Sequence, residues 1–217
     1  KAHDIYKTLF ANSPDSKDIY DDYLFTLIAL KDFKQAESVA KSRLKRESNN
    51  PIMMVALGNI YKADKKEKKA NELFEQALSY INGDDILTQQ IANDFSKNNN
   101  DEWAIKTYER AVQVTQSPAL YAAALARLYN KTDRVEDAVS ILIKSQNGMQ
   151  QMYGDVSTES SLLEIIGSDA DKQKLAQKAI IKLVNEQPDN YNYTYLLTWI
   201  FSVQNNWSQA LVQVQAL

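Results

Sequence analysis

The chain has 217 residues, 44% of them hydrophobic, and its 25 basic and 28 acidic side chains leave a formal charge of −3 at pH 7. That balance gives no basic footprint for nucleic acid, and the absence of cysteine rules out disulfides and thiolate metal sites. No apolar run approaches the roughly 20 residues of a membrane span, and no useful length of alternating apolar residues reads as a strand.

In chain order, the first regular signal is a ladder of alanines. Ala2, Ala36, Ala70, Ala104 and Ala138 stand 34 residues apart, and a fixed period of that size marks a stack of supersecondary units. Four residues after each alanine come Tyr6, Ala40, Phe74, Tyr108 and Leu142, and seven after it Leu9, Arg43, Ala77, Ala111 and Ser145. Those offsets keep to one face of an α-helix. A partner helix lies upstream in the same frame, carrying Leu57-Gly58 and Tyr61, then Ile91-Ala92 and Phe95, then Leu125-Ala126 and Tyr129. The small residue lets two helices approach, and the aromatic one turn later fills the gap beside it. Polar breakers separate the two helices of a unit, at Ala63-Asp64-Lys65, Asn98-Asn99-Asn100 and Thr132-Asp133-Arg134. The expected unit is therefore an antiparallel helix pair.

In this spacing the chain resembles the tetratricopeptide repeat family. Residues 51–84 carry the pattern best, through Leu57-Gly58, Tyr61, Ala70, Phe74 and Ala77. Residues 85–118 and 119–152 follow it closely, and 17–50 follow it through Tyr20, Leu24, Leu27, Ala36 and Ala40, with Leu24 where a small residue is usual. Pro14 and Pro188 stand where the family commonly places a proline after the second helix. The resemblance implies an all-α, right-handed α-solenoid with a 34-residue repeat. It spans almost the whole chain as one array, with units near 1–16 (partial), 17–50, 51–84, 85–118, 119–152, 157–190 and 191–217 (partial).

Beyond Leu142 the phase slips, because Ala176 follows Ala138 by 38 residues before Ala210 resumes the 34-residue step. The spacing places the slip in Gln146 to Val156, where Asn147-Gly148 and Gly154-Asp155 suggest turns, and an insertion there is either a tolerated loop or a contact site. The aromatic residues Tyr191, Tyr193, Tyr195, Trp199, Phe201 and Trp207 read as packing around the last helices, with a binding strip as the alternative. Both ends fall inside a unit without a polar cap, which predicts a piece of a longer protein.

Chemistry for catalysis is sparse. His3, assigned to the polar side of its helix, is the only histidine, so no Ser-His or Cys-His pair is available elsewhere. Neither GxxxxGK[ST] nor GxGxxG occurs, and no cofactor or metal is implied. The acid pairs Asp21-Asp22, Asp84-Asp85 and Glu136-Asp137 read as caps, turns or helix starts, where carboxylates suit the helix dipole. Five lysines between Lys62 and Lys69 read as a solvated face, with an acidic partner as the alternative.

The resemblance places the first helix of each unit on a concave wall. The position after the small residue is Phe25, Asn59, Asn93, Arg127, Ile165 and Trp199, and one turn on come Lys62, Ser96, Lys97, Asn130 and Lys131. The candidate partner-binding residues are thus Asn59, Lys62, Asn93, Lys97, Arg127, Asn130 and Lys131, a polar and mildly basic set suited to a peptide with acidic residues. Asp18 and Asp21 make the first full unit acidic. The carboxylate clamp by which some family members hold chaperone tails is not matched. Asn59 fits one clamp position, but Val55, Gln90, Leu120 and Ala124 stand where Lys, Asn, Lys and Arg are needed; one unit later Asn93 fits, and Gln89, Ala124, Thr158 and Leu162 do not. The expected function is a non-catalytic scaffold that binds a protein or peptide in the groove. The alternative is a spacer or regulatory array attached to a catalytic or membrane-anchored domain outside this sequence.

Overall fold

A computed structural model describes residues 2–148 and 157–215. Thirteen helices are delimited among the described residues, and no strand occurs among them. They are α1 (Ala2–Asn12), α2 (Lys17–Ala29), α3 (Phe33–Arg46), α4 (Pro51–Ala63), α5 (Glu67–Leu78), α6 (Asp85–Lys97) and α7 (Asp101–Thr115). Then follow α8 (Pro118–Lys131), α9 (Val135–Lys144), α10 (Thr158–Ile166), α11 (Ala170–Glu186), α12 (Tyr191–Val203) and α13 (Trp207–Gln215).

Short polar side chains start many of these helices. Asp32 accepts from Gln35 N–H, Asp84 from Leu87 N–H, and Asp169 from the N–H groups of Asp171 and Lys172. Asn50 accepts from Ile52 and Met53, and Pro51 occupies the first turn of α4, where its missing N–H costs nothing. The turn inside each pair is more uniform than the residues suggest. Lys31, Lys65, Asn99 and Asp133 all have φ between 56° and 60° and stand 34 apart, and Asn205 repeats the conformation at 57°. After each, the next N–H reaches back to a carbonyl in the last turn: Asp32 to Leu27, Lys66 to Tyr61, Asn100 to Phe95, Arg134 to Tyr129 and Asn206 to Phe201, at 2.7 to 2.9 Å. This is a Schellman closure, which satisfies carbonyls that the helix end would otherwise leave open. Such a tight link between packed helices makes them antiparallel. With α3, α5, α7 and α9 beginning at residues 33, 67, 101 and 135, the protein has a TPR-like helical-repeat fold.

The ladder alanines are the core. Ala36, Ala70, Ala104 and Ala138 are completely buried, as are Ala40, Ala77 and Ala111 on the same stripes. α4 packs on α5, and Gly58 brings them so close that a Cβ there would lie 2.7 Å from Cδ1 of Phe74. The Phe74 ring in turn meets Phe95 edge-on, centroids 4.8 Å apart, and Trp103 at 5.1 Å. α4 carries nine buried residues and is the most enclosed helix of its unit.

The chain divides into two compact units, residues 1–107 and 108–217, with the boundary inside α7. Unit 1 holds α1 to α6 and the start of α7. There His3 is half-buried with its ring 6.0 Å from that of Tyr23, so it contributes to the α1–α2 contact and does not sit on a purely polar face. Unit 2 holds the rest of α7 and α8 to α13, with α8 on α9, α11 on both α9 and α12, and α12 on α13.

The slip expected in Gln146 to Val156 lies between α8 and α10, whose starts at residues 118 and 158 are 40 apart, six more than one repeat. α11 begins at residue 170, only one residue later than a 34-residue step from α9, yet Ala176 lies six residues into it, against three for Ala36, Ala70, Ala104 and Ala138 in their helices. α11, at 17 residues, is therefore three residues longer at its start than those helices, while α10 is five residues shorter than α8. Nearly one whole turn inserted there leaves the buried stripe Ala176, Ala179, Ile180 and Leu183 in alignment. Gln146, Asn147 and Gly148 are helical, and a Cβ on Gly148 would stand 2.6 Å from that of Ala119, so this glycine answers to packing on α8. Residues 149–156, with Gly154-Asp155, lie outside the described residues.

Candidate functional site

In unit 1 the first helices α2, α4 and α6 line a cavity of about 530 Å³. α2 presents Lys17, Asp21, Phe25 and Ile28, three to four residues apart and hence on one side of the helix. α4 contributes Ile52, Met53, Ala56 and Asn59, and α6 contributes Asp94 and Lys97 with Asn98 at its end. The wall combines apolar and charged surface. Phe25 is 75% exposed, a large aromatic face open to solvent, whereas Ile28 and Ile52 are half-buried beside it.

The carboxylates of this groove are held in unequal states. Asp94 is half-buried, and burial raises its pKa, with the charge of Asp21 adding to the rise and Lys97 and Lys17 opposing it. Asp21 is exposed at its outer edge, yet the protein packed around it still raises its pKa, assisted by Asp18 and opposed chiefly by Lys17. The lysines therefore do not fully offset the cost of placing these charges against protein. Asp22 accepts a hydrogen bond from the Tyr6 hydroxyl at 3.2 Å. Asp21 and Asp22 are thus groove residues in the body of α2. The cap or helix-start role expected of an acid pair is met at Asp84 and in the first turn of α9, where Glu136 pairs with Lys178 and Asp137 with Arg134, both at 2.7 Å.

The predicted binding residues divide by what their polar atoms do. Asn59 is 9% exposed, and its Oδ1 accepts from Nδ2 of Asn100 at 2.7 Å. The Lys62 ammonium donates to Oδ1 of the same Asn100, which is 3% exposed. These three side chains tie α4 to the residue that precedes α7 through hydrogen bonds inside the protein. Asn93 and Lys97 are exposed on α6, with Lys97 at the groove beside Asp94. In unit 2, Arg127 and Lys131 are exposed on α8, while Asn130 is half-buried and accepts from Nζ of Lys172 at 2.7 Å. Among the other inner-wall positions, Ile165 is 6% exposed and belongs to the core of unit 2, because the shorter α10 buries Leu162, Ile165 and Ile166 together. Trp199 is half-buried.

The remaining sequence candidates are also placed. Around the Tyr61 ring stand Lys41, Lys66 and Lys69, each 5.5 to 5.9 Å from its centroid, and Lys66 pairs with Asp64 at 2.6 Å. The lysine run thus includes side chains engaged with an aromatic face and a carboxylate. Tyr193 and Phe201 pack inside, whereas Tyr191, Tyr195 and Trp207 are exposed, so packing accounts for only part of the aromatic set. Asp94 carried a faint signal before the fold was known, its i, i+3 relation to Lys97 on one helix face.

No protein-family profile matches the chain, and no curated protein matches it. Among solved structures it is similar to YrrB, described as a TPR protein with an unusual peptide-binding site. That match has 16% identity, covers 88% of this chain and 96% of that one, and has a TM-score of 0.39. A tetratricopeptide repeat protein from Parabacteroides merdae matches at 14% identity over 97% of this chain and 78% of its own, with a TM-score of 0.39. PilW, a type IV pilus biogenesis factor, matches at 17% identity over 92% of each chain, with a TM-score of 0.38.

Proposed function

We propose that the protein is a non-catalytic scaffold that docks a segment of another protein against α2, α4 and α6. The observation that carries this reading is the groove of about 530 Å³ in which Phe25 stands 75% exposed between half-buried apolar neighbours. Covering a phenylalanine of this kind yields up to roughly 1.5–3 kcal/mol, and side chains of an extended or helical segment fit a groove of this size. Asn93 and Lys97 flank the segment on α6. Asn59, on the groove wall, and Lys62 are both held by Asn100.

A library of random 12-residue peptides displayed on phage, selected on the whole chain, tests the reading. Selected peptides should bind Phe25→Ala at least about tenfold more weakly than wild type, equivalent to ~1.4 kcal/mol. Because Phe25 is exposed, the thermal midpoint should stay unchanged. Peptides that bind both proteins equally would place the docking surface elsewhere.

A further inference from the structure

We propose that the α2–α4–α6 groove selects a segment presenting a basic side chain next to an apolar one, the opposite sign to that expected from the candidate lysines and arginine. The inference rests on the groove reading above and adds the chemistry of the occupant.

Three observations lead to it. First, the basic residue expected at mid-wall does not face a ligand freely, because Lys62 donates to Asn100, an almost wholly buried side chain. Second, the charges that do line the groove are three carboxylates, Asp21, Asp22 and Asp94, against two ammonium groups, Lys17 and Lys97. Both lysines are exposed, whereas Asp94 is half-buried. The negative charge of Asp94 therefore sits deeper than either lysine, where water screens it less and a fixed charge acts more strongly. Third, Asp94 on α6 feels the charge of Asp21 on α2, so a cation entering between these helices is attracted from both sides. An incoming carboxylate at the same place meets two like charges, which Lys97 and Lys17 at the exposed rim only partly offset.

Phe25, Ile28 and Met53 supply apolar surface next to these carboxylates. A lysine or arginine suits that combination, because its aliphatic stem lies on apolar wall while its head reaches the charge. A metal ion is a poorer occupant: no group of three or more ligating side chains occurs among the described residues.

The test uses the same displayed library on three forms of the whole chain: wild type, Asp21→Asn/Asp94→Asn, and Asp94→Glu. Among peptides whose binding depends on Phe25, wild type should enrich Lys or Arg adjacent to an apolar residue. Their affinity for wild type should exceed that of matched peptides with Glu in place of the basic residue by about tenfold or more at low salt, and the margin should shrink as salt is added. The double asparagine variant should reduce the margin to about twofold or less, while Asp94→Glu, which keeps the charge, should retain it. Retained folding of each form is checked by its thermal midpoint. Enrichment of acidic residues, absence of any charge preference, or a preference that survives in the double variant overturns the inference and leaves the groove reading standing. If no selected peptide depends on Phe25, the groove reading itself falls and takes the inference with it.

Discussion

At Gly58 an added methyl would meet the Phe74 ring, which also packs against Phe95 and Trp103. Phe74 is completely buried and has no free direction in which to swing. Replacing glycine by alanine inside a helix returns ~1 kcal/mol of propensity, but overpacking a tight core costs roughly 1–3 kcal/mol. The enclosure of Phe74 decides for the second effect. Gly58→Ala should lose about 1–2 kcal/mol in urea denaturation, and a gain in stability would show that α4 and α5 separate readily. The amides divide in the same way. Asn59→Ala strips the acceptor from a buried Nδ2 of Asn100 and should cost about 1–3 kcal/mol. Asn93→Ala and Arg127→Ala, at exposed positions, should stay within about 0.5 kcal/mol of wild type. Equal stability of all three variants would mean that the Asn59–Asn100 bond contributes nothing. From the sequence these three residues looked alike, as polar groups at one repeat position. What separates them is a partner 41 residues away, which no local pattern reveals.

Contacts between elements are clearest where α3, α4 and the following turn meet. Glu37 on α3 accepts from the Tyr61 hydroxyl at 3.0 Å and pairs with Lys41 at 2.6 Å and Lys66 at 3.5 Å. The Lys41 hydrogen bond is the main reason its pKa falls to about 2 from an ordinary 4.5, with Tyr61 and Lys66 acting in the same direction. A carboxyl with a depressed folded-state pKa contributes stability that is complete above its unfolded value. That stability is lost as pH falls from about 4.5 toward 2. In a series of thermal midpoints, Glu37→Gln should therefore remove part of the acid-induced loss across that window. The difference between the two proteins should be largest at neutral pH and close as acid is added, at about 1 kcal/mol or less for so accessible a network. A gap that widens in acid would assign the stabilising protonation state wrongly. The presence of Tyr61 and the lysines near this turn was readable from the repeat, because the offsets put them there. Their common focus on Glu37 required the packing of α3 against α4.

For the molecule as a whole, a repeat array has no single centre, and each helix is as stable as its neighbours make it. α4 buries nine residues, whereas α13 buries Ala210 and leaves Trp207, Leu211, Val212 and Val214 all more than half exposed. Amide hydrogen exchange should accordingly be at least about a hundredfold faster in α13 than in α4, the ratio produced by a difference of ~3 kcal/mol in local opening. Comparable protection would mean that another surface covers the α13 face.

Much of the architecture followed from the residues alone. A 34-residue recurrence of small, apolar and polar positions can be met by stacked helix pairs, and the ladder alanines are buried because helices approach closely only over small side chains. Even the turn positions were marked by their polar residues, although the left-handed backbone at Lys31, Lys65, Asn99 and Asp133 was not. The tertiary structure alone decided the rest. It set the short α10 and the long α11, since helical phase is judged by which residues bury, not by where turn-forming residues cluster. It also brought carboxylates of α2 and α6 to one groove beside Lys17 and Lys97. Charge in a sequence is a sum, but a ligand feels most strongly the charges nearest to it and least screened by water. Lys62 turns to Asn100, while Asp21 and Asp94 approach each other from helices far apart in the chain.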